Sequence, residues 1–463
     1  MHFRISHVIF SLFVFLLFSG LGCRGLSQEQ QSAIQPVTLN YWTVFGNVSE
    51  LQRAAGEYKQ LRPYVTVNVR QLRYEEFDKI FVNALADDVG PDIISVHTRN
   101  LRKYENRLAP MPTSVRVAKV TVEGQYQPET VVTLETNAMP SYNSIKQNYV
   151  AAVADDIVIG NQMFGLPLTI DTLALIYNKD LLDKAGVPIV PSSWDATDFL
   201  AAVKKATKYD KKGAIVQSGV ALGTGNNIDN AFDIVSLLLM QNGVTLARGS
   251  RASFADTLER NLNDQNPILQ ALRFYTDFAR PSKEVYAWNE KFSNSTDEFT
   301  RGKVVFLVGF AYDFNRVRRA APQLNVAVAP IPQLNPGAPT NVANYWLESV
   351  VRKSRHQNEA WDFVRFLSEP DRIKRYSEAT GIPSPLRVHI EGQKALPLLG
   401  PFASQILTAK NWYRGRDIDV ASRAIRDMIT RYLAPYNDQE ANRPLERDAS
   451  IIRNAQTVVQ QTY

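Results

Sequence analysis

Residues 37–96 read VTLNYWTVFGNVSELQRAAGEYKQLRPYVTVNVRQLRYEEFDKIFVNALADDVGPDIISV, and the hydrophobic period switches repeatedly along them. Residues 37–42 alternate apolar and polar side chains, the period-two signature of a strand. A loop through Phe45-Gly46-Asn47 leads into a helix that Ser49 is placed to cap and Pro63 stops. Residues 65–70 return to period two, 74–86 read as a second helix, and Gly90-Pro91 turns the chain into a short apolar strand over 92–96. This succession of strand, helix, strand, helix, strand predicts an α/β fold with a mostly parallel sheet covered by helices on both faces.

The rest of the chain bounds the answer. At 463 residues it is too long for one ordinary domain, and at 45% hydrophobic it is too apolar for a disordered one. A single Cys excludes intramolecular disulfides, CxxC redox chemistry and Cys-rich metal sites. The five His fall at no local metal spacing, so neither a metal nor a cofactor is expected. A net charge of +6 with no aromatic-interleaved basic stripe argues against nucleic acid as a partner. Residues 113–150 break the rhythm and read as an insertion packed on the first domain. Helices are expected over 150–159, 195–209, 228–242, 266–278, 359–367 and 371–380 and through most of 420–459, with strands over 172–177, 304–308 and 325–329.

The N-terminus reads as an address. Arg4 precedes an apolar run over 8–18, followed by Ser19, Gly20, Gly22 and Cys23, the order of a secretory signal peptide. The run is shorter than the roughly 20 residues of a membrane span, although an uncleaved anchor is the alternative. The segment resembles a bacterial lipoprotein signal, in which 1–22 are removed and Cys23 receives lipid. Residues 23–36, polar and without period, then form a flexible tether.

A series of short motifs carries a wider resemblance. They are Gly90-Pro91-Asp92-Ile93-Ile94, Phe164-Gly165-Leu166-Pro167, the block from Leu175-Ile176-Tyr177-Asn178-Lys179-Asp180 to Gly186, and Trp194-Asp195 after Val190-Pro191. Phe299-Thr300-Arg301-Gly302-Lys303, Val328-Ala329-Pro330, the run over 359–367 and Thr380-Gly381-Ile382-Pro383 complete the series. In order and spacing they resemble the extracellular solute-binding proteins of ABC importers, in the branch that includes maltose-binding protein. The resemblance covers 37–387, and 113–150 and 388–463 match poorly. It implies a two-lobe periplasmic-binding-protein fold of type II, with the ligand in a cleft between the lobes. One lobe would comprise 36–168 and 346–378, the other 175–333 and 385–463, with hinge crossings at 168–172 and 336–345. It implies a monomer that captures a small solute, a sugar or oligosaccharide first among the candidates, and hands it to a membrane permease. The protein would be exported, at the cell surface or in the periplasm, and held to the membrane by lipid on Cys23.

A sugar site needs aromatic faces for the CH-rich sides of the ring and polar groups for its hydroxyls. Trp42 and Asn47 follow the first strand, at the end where open α/β sheets bind ligands, although Trp42 reads equally well as core. His97 and Arg99 follow another strand end. By the resemblance, Asp171 aligns with a sugar-contacting carboxylate and Tyr312 with a stacking aromatic. Asp313 adjoins Tyr312, and Tyr345 and Trp346 sit at the second crossing. Asn226 belongs to a Gly-rich loop that lacks the Lys-Ser/Thr of a phosphate-binding loop. The rival reading is an exported glycoside hydrolase built on paired carboxylates such as Glu75-Glu76, Asp87-Asp88 or Asp155-Asp156. Neighbouring carboxylates on one helix point apart, and no Gly-x-Ser-x-Gly elbow occurs, so no catalytic residue is assigned.

Overall fold

The computed structural model describes residues 26–124 and 128–463. The signal segment and Cys23 lie outside the described residues. Two hydrophobic cores form, each around its own sheet. In the first lobe the strands Val37–Thr43, Val65–Gln71 and Ile93–His97 run parallel, with Val37 beside Val65 and Tyr41 beside Ile93. A fourth strand, Trp346–Val350, arrives from far along the chain and pairs antiparallel with Ile93–His97. That register sets Trp346 opposite His97 and Glu348 opposite Ser95. Helix Val48–Leu61 buries Leu51, Ala54 and Tyr58, and helix Tyr74–Ala86 buries Phe77, Phe81 and Leu85, each at helical spacing. At about 1.5–3 kcal/mol for each large buried side chain, these apolar stripes outweigh helix propensity in holding the elements.

The second lobe departs from a mostly parallel sheet. Ile215–Val220 runs parallel to Val304–Gly309, but Ala174–Asn178 runs antiparallel to both its neighbours, Val304–Gly309 and Val326–Pro330. The chain enters this lobe from the first one through Ala174–Asn178, so a crossing rather than a βαβ return sets that strand's direction. Between the lobes Asp171–Thr172, Asn341–Asn344 and Ala409–Lys410 form a three-stranded sheet, so the chain passes there a third time. Residues 385–463 accordingly do not all belong to the second lobe. Leu386, Ile390, Ile406 and Ala409 pack in the first core, whereas Phe402 and the helices Ile418–Leu433 and Pro444–Gln460 pack in the second.

Local chemistry moved several other boundaries. The first helix is capped by Asn47, whose Oδ1 accepts from Glu50 N at 3.2 Å, while Ser49 lies one residue inside and donates to the same oxygen. Within 195–209 only Phe199–Ala206 is α-helical, because the Asp195 and Asp198 carboxylates hold the preceding backbone N–H groups in turns. The helix within 150–159 is Ala151–Asp156. Residues 26–36 are not a free tether throughout, since Gln28–Ala33 is a helix with a Ser27/Gln30 capping box. Gln30 Nε2 donates at 2.7 Å to Val132 O, and Glu29 pairs with Arg116, both on the hairpin Ser114–Glu123/Glu129–Ala138. Caps and docking hold this helix without an apolar stripe, so hydrophobic period does not reveal it.

The Phe164-Gly165-Leu166-Pro167 motif has a packing reason. Leu166 bridges to Glu348, with Glu348 N donating to Leu166 O at 2.9 Å. A Cβ on Gly165 would meet Glu348 O at 2.8 Å and Ser349 Oγ at 2.6 Å, so only glycine lets the two segments approach.

Candidate binding cleft

A cavity of ≈ 670 Å³ opens between the lobes. Its rim is aromatic. Phe45, in the loop after the first strand, stacks with Tyr74 at 6.2 Å and meets Trp346 at 5.4 Å, all on the first lobe. Tyr312, at the start of helix Ala311–Ala320 on the second lobe, meets Phe45 edge-on at 5.2 Å and so spans the cleft. Phe45, Tyr74 and Tyr312 are all exposed, and the open part of each ring is apolar surface available to a ligand.

The floor is polar, and much of it is already committed. Asp171 is buried on the strand Asp171–Thr172 between the lobes. Its Oδ1 accepts from Ala311 N at 2.9 Å and Thr172 N at 2.8 Å, and its Oδ2 from Tyr312 N at 3.0 Å. Burial pushes this carboxyl up to about 7 against those three N–H groups. It ties this inter-lobe strand to the N-terminus of the helix that presents Tyr312, so it positions the aromatic. Asp313 is also buried, which raises it, and its Oδ2 accepts from Phe310 N and Asn230 Nδ2. Asp171→Ala should cost about 0.5–2 kcal/mol in urea unfolding, the range of a lost helix cap, while Asp171→Asn should keep most of it.

His97 is held as a neutral tautomer. Its Nδ1 accepts from Arg99 N at 3.2 Å, which leaves the proton on Nε2 for Asn344 Oδ1 at 2.6 Å. Burial and the nearby Arg99 guanidinium push its pKa down to about 3. Arg99 itself pairs with Asp233 on helix Ala231–Gln241, so an ion pair joins the lobes beneath the rim. Glu348 lies between, taking hydrogen bonds on Oε2 from the Tyr41 hydroxyl and from Ser95 Oγ at 2.7 Å. Burial pushes it up to about 7.

The fold therefore gathers His97, Arg99, Asp171, Tyr312, Asp313, Tyr345 and Trp346 around one cavity. Tyr345 contributes to the wall, but its hydroxyl turns away to Ala152 O at 3.1 Å and Asp156 Oδ2 at 2.8 Å. Three expected residues lie elsewhere. Trp42 is buried on the opposite sheet face from Tyr41 and Thr43, and Arg70 covers its ring at 5.3 Å; strand alternation dictates this. Asn47 spends its side chain on the helix cap. Asn226 is exposed on its loop, while the adjacent Asn227 turns inward to Trp288 Nε1, Asn289 O and Phe292 O. Phe45, Tyr74, Asn230, Glu348 and Arg426 also line the cavity, although the sequence reading does not single them out. Glu348 had a readable signal, because it stands two residues from Trp346 on one strand and so shares its face.

Comparison with known proteins agrees with this geometry. The family model described as bacterial extracellular solute-binding protein matches residues 45–372. A protein of Brucella abortus (strain 2308) named as a binding protein is 25% identical over 249 residues, 52% of this chain. The chain spans about half the length of the curated relatives it matches, 54% for this one. Among solved structures, the sugar-binding protein MalE of the phytopathogen Xanthomonas citri superimposes with a TM-score of 0.67 at 17% identity, over 92% of this chain and 98% of that one. A cyclo/maltodextrin-binding protein complexed with maltotetraose gives 0.65 at 16% identity, over 92% and 97%. These likenesses establish the two-lobe α/β architecture, and with the family match over most of its length the chain belongs to the bacterial extracellular solute-binding protein family.

Proposed function

We propose that this protein captures a neutral saccharide in the cleft, closes its lobes over it by bending at the three-stranded hinge sheet, and delivers it to a membrane permease. The observation that carries the reading is the rim of Phe45, Tyr74 and Trp346 facing Tyr312 across a hydrogen-bonding floor. Aromatic faces suit the CH-rich sides of sugar rings, and amides and carboxyls suit hydroxyls. The volume falls within the range of about 300–1,000 Å³ of small-molecule sites. The lining mixes carboxyls with Arg99, Arg316 and Arg426, so neither a polyamine nor a phosphodiester meets a field of one sign. Most of these charges are also internally matched. Arg99 is paired with Asp233, and Arg426 donates to Gly225 O, Ile228 O and Asp229 O.

Hydrolysis finds less support. Of the adjacent carboxylate pairs only Glu75 reaches the lining, Asp87 and Asp88 are exposed on the surface, and Asp156 faces Tyr345 and Arg414. Export and lipidation at Cys23 belong to the same proposal; among the described residues no helix is long and apolar enough to cross a membrane.

Calorimetry of the purified protein against mono- and oligosaccharides, polyamines and short peptides tests the reading. A saturable one-to-one signal from a saccharide is expected. Tyr312→Ala should weaken it by about 10-fold, the order of one aromatic contact. Silence from every saccharide, or shortening of an oligosaccharide during incubation, would overturn the proposal.

A further inference from the structure

The buried carboxyl of Glu348 is only half used. Glu348 lies on Trp346–Val350 with 5% of its surface exposed, and it shares its strand face and the cavity wall with Trp346. Both internal donors, the Tyr41 hydroxyl and Ser95 Oγ, go to Oε2. Ser95 Oγ in turn lies 3.1 Å from Thr43 Oγ1, so three strands of the first lobe fix the carboxyl's position. Oε1 receives no hydrogen bond from any described residue, yet it is not among the sealed polar atoms that lack partners. A carboxyl buried to this degree costs free energy unless its oxygens are satisfied. Asp171, by contrast, has both oxygens engaged by backbone N–H groups.

We propose that Glu348 is a specificity-determining residue of the cleft: its unshared Oε1 hydrogen-bonds one hydroxyl of the bound saccharide beneath Trp346. The inference rests on the saccharide reading above and deepens it. A rigid, buried partner discriminates against a ligand lacking that hydroxyl, because the carboxyl oxygen is then left dry and unpaired. The aromatic rim supplies contact area to many sugars, whereas this one oxygen selects among them.

The test is a substitution cycle on the full protein. Wild type, Glu348→Gln and Glu348→Ala are titrated by calorimetry with glucose, maltose, maltotriose and the 2-, 3-, 4- and 6-deoxy forms of glucose. In the wild type one deoxy position should cost about 10-fold or more. In Glu348→Ala that same position should cost nothing further, while the other positions keep their penalties. Glu348→Gln, close in size, guards against a folding defect and should lose affinity for the parent sugar with its thermal midpoint retained. A merely structural role would lower the midpoint and leave the deoxy ranking unchanged, which would overturn the proposal alone. A wild type that binds no saccharide would overturn it together with the saccharide reading.

Discussion

Asp233→Ala should weaken saccharide binding by at least about 30-fold while leaving the urea unfolding midpoint nearly unchanged. Arg99 lies in the 3-10 turn Thr98–Asn100 that follows the strand Ile93–His97 of the first lobe, and Asp233 stands in the first turn of Ala231–Gln241 in the second. Their side chains keep 8% and 12% of their surface, so the ion pair is desolvated where the lobes meet. Arg99 also lies 5.4 Å over the Phe232 ring and donates to Asn411 Oδ1 at 3.4 Å. On the proposed closure, both charges regain water in the open form and need no partner there. In the closed form their mutual pairing is the main offset to the lost hydration. Removing one member of a buried, hydrogen-bonded charge pair costs about 2–5 kcal/mol, mostly from the charge left behind. If the lobes close as proposed, that cost falls on the step from open to closed, because the open form is still folded. Apparent affinity drops by the same factor as the closed population. The remaining contacts of Arg99 place the expected loss toward the lower end. Calorimetry gives the affinity, and small-angle scattering of the ligand-free variant should show a more open particle. Replacing both partners together, Arg99→Leu with Asp233→Leu, should recover much of the loss, since no charge is then stranded. Unchanged affinity in Asp233→Ala would rule out this ion pair as a latch in the proposed closure.

Arg99 also shows how far the sequence could be read. Its position after a strand end points it to the cleft, and it lines the cavity, but a partner 134 residues away occupies its guanidinium. Strand-end position is local information, whereas the pairing depends on how two lobes meet. The same limit explains Asp171, whose place at a crossing between the lobes is legible but whose oxygens serve the helix that carries Tyr312. Trp42 was ambiguous only until its strand register fixed which face it shares, and period two then sends it away from Tyr41 and Thr43. Phe45 and Tyr74 escaped notice because one lies in a loop and the other opens a helix, so no hydrophobic period marks them. The α/β rhythm of 37–96 was readable because each element buries a regular apolar stripe. The antiparallel entry of Ala174–Asn178 and the third inter-lobe passage at Ala409–Lys410 carry no such pattern, since they follow from where the chain crosses.

The largest loss of stability should follow Asp362→Ala, about 3–5 kcal/mol, and it should fall on the first lobe. Asp362 has no exposed surface, and three separate segments converge on it. Its Oδ2 accepts from Tyr58 at 3.0 Å and from Arg62 Nε at 3.2 Å, at the end of the helix Val48–Leu61. Its Oδ1 accepts from Asn137 Nδ2 at 3.1 Å, on the inserted hairpin, and from Arg365 at 2.9 Å on its own helix Gln357–Leu367. Arg62 is 1% exposed, and its second terminal nitrogen already lacks a partner, so without Asp362 only Glu135 at 3.2 Å would face that charge. Breaking a buried pair by removing one partner costs about 3–5 kcal/mol, and the Tyr58 hydroxyl and the Asn137 amide would be orphaned as well. A lobe of about 150–250 residues shifts by roughly 2–4 °C per kcal/mol, so the first transition in scanning calorimetry should fall by about 10 °C. The second lobe's transition should stay in place if the lobes unfold separately. Asp362→Asn keeps an acceptor and the shape but loses the charge, and it should lie between the variant and the wild type. If Asp362→Ala lost less than about 1 kcal/mol, the hairpin would be held by Val115, Ala118 and Val132 in the core and the polar junction would contribute only specificity of packing.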